Sequence, residues 1–296
     1  MQHAHVPDPD TLARLEEFAV DIAASAGRLV REQRPDRFEI DTKSSDTDVV
    51  TQMDTAAQQY LEGRIRAEYA ADGFLGEEEG GRIDPGTSGL TWVLDPIDGT
   101  VNYLYGRVDY AVSVAVVVGD VTTPGAWSPV VAAVAAPARG EVYHARLGGG
   151  ARLRDAEGRT RTLTISRDPQ LSHSLVATGF GYRADVRERQ AGVVAALLPQ
   201  VRDLRRAGSA ALDACAVGSG ELDAYYERGV HAWDIAGAWL VAAEAGAVVT
   251  GIASAAPLAD GILVAPPRLH GDMREALLAA QGADDGVMRS ASPVDE

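Results

Sequence analysis

Cysteine is nearly absent. Cys215 is the single one in 296 residues, which excludes an intramolecular disulfide and a cysteine-built zinc site, and its apolar neighbours mark it as a small core residue. Long apolar runs are also missing. The stretches 111–118 and 130–136 fall well short of the roughly 20 residues that cross a bilayer. Basic charge is scarce: 27 Lys and Arg stand against 43 Asp and Glu, a formal charge of −16. Nucleic acid is therefore excluded as the expected partner, since its binding needs a basic surface to displace counterions. Residues 1–10 lack the basic start and apolar core of a secretory signal. The expectation is a cytoplasmic protein that engages neither membrane nor nucleic acid. There is no internal repeat, low-complexity linker or hinge-length loop.

What the chain does have is a large apolar fraction, 46%, enough for a sizeable core. Apolar residues from Leu12 to Leu29 recur at helical spacing and predict a helix over 11–33, capped by Asp10 or Thr11. A polar loop at 41–48 reads as a mobile flap, and a second helix is expected over 52–69 with Asp54 in its first turn. Short apolar segments at 111–118, 130–136, 141–145, 151–154 and 163–166 predict antiparallel strands of one sheet. From Ser174 the pattern changes to strands at 174–178, 201–204, 222–226, 247–250 and 262–265, with helices at 186–198, 209–218, 234–244 and 267–280. The fold class is thus α+β. Residues 9–281 are expected to form one domain, with an α+β half to 166 and an α/β half from 167, between frayed tails at 1–8 and 282–296.

The chemistry concentrates at Trp92-Val93-Leu94-Asp95-Pro96-Ile97-Asp98-Gly99-Thr100. The apolar run is a strand that Pro96 is expected to end, and Gly99 allows a turn whose following N–H groups can meet an anion. An EF-hand register would put Leu94 and Pro96 at ligand positions, so that motif fails. An Asp-x-Asp phosphatase nucleophile fails as well, because Ile97 and Thr100 stand two residues after each aspartate. Two carboxylates three apart across a kink suit a pair of hard cations with a phosphate between them. Gly76-Glu77-Glu78 supplies further acids, and His231-Ala232-Trp233-Asp234 places an aspartate at a helix start.

Three stretches in this order, Gly76-Glu77-Glu78, Asp95-Pro96-Ile97-Asp98-Gly99-Thr100 and Trp233-Asp234-Ile235-Ala236-Gly237, resemble the motifs of the inositol monophosphatase family. That family lies within the metal-dependent, lithium-sensitive phosphatases that include fructose-1,6-bisphosphatases. The resemblance implies a layered α-β-α-β-α sandwich and two or three magnesium ions, with manganese as a substitute. It places Glu77, Asp95 and the Ile97 carbonyl on one ion and Asp95, Asp98 and Asp234 on a second, with Glu78 as a supporting acid. Thr100 and Asp54 would activate the attacking water, so no histidine base is required. Asp98, Gly99 and Thr100 would line the phosphate, and Ser209, Ala210 and Glu227 would meet substrate hydroxyls. The implied activity is hydrolysis of inositol monophosphate by a lithium-sensitive homodimer. The same chemistry on histidinol phosphate, fructose 1,6-bisphosphate or a 3′-phosphoadenosine nucleotide is the alternative. Val101 and Ala247 depart from the family's more usual threonine and glycine and touch no implied ligand.

Overall fold

The computed structural model describes residues 6–36, 38, 40–42, 49–81 and 83–290. The first helix, α1 (Pro9–Glu32), is capped by Asp8 rather than by Asp10 or Thr11. Asp8 accepts from the N–H groups of both, at 3.0 and 2.9 Å, while Pro9 fills the first helical position, where an N–H would go unused. Next, β1 (Ile40–Thr42) pairs antiparallel with β2 (Val49–Thr51), a pairing absent from the sequence reading. Of the flap expected at 41–48, Asp41 and Thr42 belong to β1 and 43–48 lie outside the described residues. Helix α2 (Gln52–Glu68) begins in a capping box between Thr51 and Asp54. It agrees with the predicted span to one residue.

There follow β3 (Gly73–Gly76), α3 (Glu78–Gly81), β4 (Ile83–Asp84), β5 (Leu90–Asp98), α4 (Thr100–Leu104), β6 (Ala111–Gly119), β7 (Trp127–Ala136), β8 (Glu141–Arg146), β9 (Ala151–Arg154) and β10 (Thr160–Leu163). Their strands make an eight-stranded sheet in the order β10-β9-β8-β7-β6-β5-β3-β4, antiparallel apart from the parallel β3–β5 pair. Strand β10 lies three residues earlier than the predicted 163–166. The Asp155 carboxylate binds the N–H groups of Glu157 and Arg159, which tightens the turn and pairs Thr160 with Arg154.

The second half comprises β11 (Leu175–Thr178), α5 (Ala184–Leu197), β12 (Asp203–Arg205), α6 (Ala210–Ser219), β13 (Ala224–Glu227), α7 (Ala232–Glu244), β14 (Val248–Thr250), β15 (Ile262–Ala265) and α8 (Pro267–Ser290). A five-stranded sheet runs β12-β11-β13-β15-β14. Helix α8 continues past the predicted end near Ala280, so 282–290, read from the sequence as tail, is helical backbone. Residues 1–5 and 291–296 lie outside the description.

Strand alternation builds the layers. In β6, Val112, Val114 and Val116 pack on α1 and α2 with Leu15, Ile22 and Leu61. The opposite face of the large sheet, through Ala111, Ala132 and Val134, meets α6 and α7. Those helices also cover Tyr225, Ile262 and Val264 of the small sheet, whose far face, through Val176, Tyr226 and Leu263, packs on α5 and α8. The order of layers is α-β-α-β-α, as the resemblance implied. The middle helices lie between two sheets, and their alanines, with Gly237 set against Ser113 and Val134, keep that layer thin. No helix among the described residues is long and apolar enough to cross a membrane.

One buried charge ties α1 to the sheet. Glu16 is 4% exposed, with Oε1 2.7 Å from His144 Nδ1 and Oε2 2.5 Å from Arg146 Nη1. Burial pushes its pKa up, but the hydrogen bonds from His144 and Arg146 outweigh that and hold it below the ordinary glutamate value. Glu16→Ala is predicted to lower the unfolding free energy by about 3 kcal/mol in urea titrations, the lower range for breaking a buried pair. A loss under about 1 kcal/mol, as for a surface pair, would contradict this. Because the folded pKa is depressed, the contribution is complete above the unfolded pKa near 4.5 and is lost as pH falls through the folded value.

Candidate active site

Strand β5 is anchored by Trp92, which is fully buried. Its indole donates to Asp72 Oδ2 at 2.9 Å, and its ring meets Phe18 edge-on at 5.6 Å. Contrary to the sequence reading, the strand does not stop at Pro96. Asp95 pairs with Ser113 and Asp98 with Ala111, leaving Pro96 and Ile97 opposite one residue, Val112. Proline lacks the N–H a ladder needs, so it sits in a bulge, and the Ile97 N–H turns back to Asp95 Oδ1 at 3.0 Å. The bulge decides where the carboxylates point. In a regular strand, residues three apart face opposite sides. The extra residue restores Asp98 to the face of Asp95, under α6 and α7, while Ile97 enters the core on the other side.

Glu77 arrives beside them because β3 runs parallel to β5 and exits level with Leu94, whose carbonyl accepts the Glu77 N–H at 3.2 Å. Gln58 seats this turn by accepting from the Glu78 N–H at 2.9 Å. A side chain at Gly76 would strike the Gln58 amide at 2.6 Å. Asp54 comes from the other direction. Its Oδ2 closes the capping box, accepting from Thr51 N–H and Oγ1 at 2.9 and 2.6 Å, which leaves Oδ1 for Thr100 Oγ1 at 3.2 Å. The same hydroxyl lies 3.0 Å from the Ile97 carbonyl. With one proton it serves one acceptor at a time.

Gly99, at φ +89°, turns the chain into α4, and a Cβ there would meet the Asp109 and Gly208 carbonyls, each at 3.0 Å. Asn102 ties this turn to the loop before α6 by donating to the Asp109 and Ala207 carbonyls at 2.6 and 2.8 Å. Asp98 docks on the start of α6: Ser209 Oγ donates to Oδ2 at 2.5 Å, Ala211 N–H to Oδ2 at 2.8 Å and Ala210 N–H to Oδ1 at 3.2 Å. Burial and the nearby Asp234 charge raise its pKa well above the ordinary value despite these bonds. Asp234 stands at the helix start, as the sequence reading placed it, but inside the first turn. His231 is the cap, and Asp234, at the third position, accepts the His231 N–H at 2.6 Å.

Glu227 ends β13, held by Tyr225 OH at 2.9 Å and resting on Gly179, where a Cβ would lie 2.0 Å from its Oε2. Burial, then the Asp234 charge, pushes it up to about 7. Asp213, on α6, is likewise pushed up to about 7 by burial and then by Glu227.

The geometry thus joins Asp54 to Thr100, Asp98 to Ser209 and Ala210, and couples Asp98 to Asp234 and Asp234 to Glu227 through their charges. Among the described residues it draws no three acidic, imidazole or thiol groups into a ready metal cluster. The reason is local. Asp54, Asp95, Asp98 and Asp234 each rest on backbone N–H donors beside them, as mutually repelling carboxylates without a shared cation should. The donors available, carboxylates and a peptide carbonyl, are hard oxygens that fit magnesium or manganese rather than zinc.

The profile of the inositol monophosphatase family matches residues 11–283. The chain belongs to that family. Its relatives include inositol-1-monophosphatase SuhB of Mycobacterium tuberculosis strain H37Rv, 44% identical over 88% of this chain and 95% of that one. Bovine inositol monophosphatase 1 is 34% identical over 79% and 82% respectively. The solved structure of Mycobacterium tuberculosis SuhB superposes with a TM-score of 0.73, at 40% identity over 91% of this chain and 98% of that one.

Within this inositol monophosphatase framework, sequence reasoning missed Gln58, Asn102, Gly179 and Asp213. Gln58 and Asn102 are polar residues on amphipathic or short helices and carry no local signal. The Gly179-Phe180-Gly181 run was visible, but its contact with Glu227 depends on β11 pairing with β13.

The raised carboxyls give a sign to the pH response. From the unfolded values of 4.5 and 3.8 up to about 7, the folded state holds protons that the unfolded chain has released. Stability of the metal-free protein should therefore fall as pH rises through that window. The Glu227→Gln/Asp213→Asn double variant should lose less stability than wild type between about pH 5 and about pH 8 in guanidinium titrations. Parallel curves would show that neither carboxyl titrates late.

Proposed function

We propose that this chain is a magnesium-dependent phosphomonoesterase that hydrolyses inositol monophosphate to inositol and phosphate. The observation that carries the reading is the bulge at Pro96, which puts Asp95 and Asp98 on one face beside the Thr100–Asp54 pair. Glu77, Asp95, the Ile97 carbonyl, Asp98 and Asp234 would hold the cations, with Glu78 as a supporting acid. When bound, such ions neutralise phosphoryl charge, acidify a water and stabilise the leaving alkoxide.

The protein's own part begins with Asp54. Its Oδ1 accepts a hydrogen bond from the Thr100 hydroxyl, which keeps its proton and turns its oxygen lone pairs to the attacking water as an acceptor. The Gly99 and Thr100 amides, at a helix start with no side-chain cap, would receive the phosphate oxygens. Ser209 Oγ and the Ala210 N–H, engaged by Asp98 in the structure, would become available to a ring hydroxyl once Asp98 turns to a cation. Glu227, positioned by Tyr225 and Gly179, would accept from another hydroxyl. A homodimer in the cytoplasm is the setting we infer for this activity from the family resemblance.

The test is phosphate release from inositol 1-phosphate beside histidinol phosphate, with and without magnesium. Magnesium-dependent turnover that favours inositol 1-phosphate supports the reading, and preference for histidinol phosphate replaces the substrate. Asp98→Asn should lower kcat roughly a thousandfold or more, the scale expected when one ion of a two-ion site is lost. Activity within about tenfold of wild type would remove Asp98 from the ligand set. Asp54→Asn carries two signatures: a fall in kcat with KM nearly unchanged, and a stability loss of about 1 kcal/mol from the broken capping box. Glu227→Ala should cut kcat/KM for inositol 1-phosphate roughly ten- to a hundredfold while sparing p-nitrophenyl phosphate. Equal losses on both esters would assign Glu227 to the metal centre or the fold.

A further inference from the structure

Strand β6 reads Ala111-Val112-Ser113-Val114-Ala115-Val116-Val117-Val118, with one hydroxyl in an otherwise apolar run. Ser113 is 1% exposed, and its Oγ is buried without a hydrogen-bond partner among the described residues. Burying a hydroxyl unpaired costs stability, and native proteins leave few such groups unmet. A serine at this position therefore calls for a partner.

Its neighbours narrow the choice. On one side Ser113 stands directly across from Val134 of β7, and on the other directly across from Asp95 of β5. Ala111 and Ala115 flank it along the same face of the strand. Over it lies α7, where Gly237 has no side chain to offer: a Cβ there would stand 3.0 Å from Ser113 Oγ and 3.0 Å from Val134 Cγ2. Asp95 is the one polar side chain among these five. Residues directly opposite in an antiparallel pair hold their Cβ atoms about 4.5–5.5 Å apart, a span that a turn of the serine rotamer closes to a hydrogen bond. This rung is also the last before the bulge, since the next pair, Asp98 with Ala111, follows the register shift.

We propose that Ser113 is a positioning residue of the acidic centre, its hydroxyl donating to the Asp95 carboxylate when that carboxylate turns to the cations. The inference rests on the cation-binding role proposed above for Asp95. A carboxylate has about four acceptor sites, enough for the Ile97 N–H, two cations and one hydroxyl. Ile97 holds Oδ1 from within the bulge, on the side where the ladder is loosest. A donor from β6 holds the carboxylate from the neighbouring strand, so that it meets the ions in one orientation, as partners of metal-binding side chains do. Gly237 leaves the hydroxyl the space for that rotation.

The experiment is calorimetric titration of the full chain, stripped of metal by chelator, with manganese chloride, beside thermal melts with and without the ion. Ser113→Ala should bind manganese about tenfold more weakly than wild type, the low end for losing a partner that orients a metal ligand. Without manganese its melting temperature should match or exceed that of wild type, because only an unpartnered hydroxyl is removed. The rise on adding one fixed concentration of manganese should be smaller than in wild type. A serine that merely supports the fold would lower the melting temperature without the ion and leave the affinity alone. That result, or equal affinity in the two proteins, would overturn the inference and leave the cation reading standing. No saturable manganese binding by wild type would overturn both.

Discussion

A single extra residue in one strand governs the arrangement of this protein's acidic centre. Without the bulge at Pro96 and Ile97, Asp95 and Asp98 would lie on opposite faces of the large sheet, one of them among the valines that pack on α1. With it, both face the middle helical layer, and the other acidic groups reach this end of the strand from independent elements. Glu77 comes from the parallel exit of β3, Asp54 from the cap of α2 and Asp234 from the first turn of α7. The buried indole of Trp92 fixes the strand so that the bulge cannot relax by sliding.

Gathering carboxylates in this way costs electrostatic energy, and the structure disperses the cost through local donors. The same hydrogen bonds that would otherwise be plain helix capping, Thr51 on Asp54 and His231 on Asp234, hold the acids apart and partly neutralised by backbone dipoles. Asp98 goes furthest, borrowing the start of α6 and with it Ser209 and Ala210. In our reading, cation binding and substrate access would therefore be one event, because Asp98, on turning to a cation, would leave Ser209 and Ala210 to meet a hydroxyl.

Much of this was legible in the sequence. The expected span of α2 holds to within a residue, and the three acidic motifs pointed to one phosphatase family. What was not legible depends on contacts made across the chain. The proline rule predicted a strand end, which is right for an isolated strand. Here pairing with β6 resumes past the proline because Asp98 has both a ladder partner in Ala111 and a buried seat on α6. The cap of α1 was misplaced because three acceptors stand within four residues, and only the structure shows which one precedes Pro9. Gln58, Asn102 and Gly179 act by holding a neighbour 20 to 105 positions away in the chain, a separation at which spacing carries no signal.

The central claim is that hard cations draw these carboxylates off their local donors into one cluster. A crystal structure of the full chain soaked in manganese, with anomalous scattering used to place the ions, tests it most directly. Two anomalous peaks flanking Asp95, with Asp98 turned away from Ser209 toward one of them, are the predicted result. Absence of manganese from this face at saturating concentration, or peaks that leave Asp98 on Ser209 and Ala211, would contradict it.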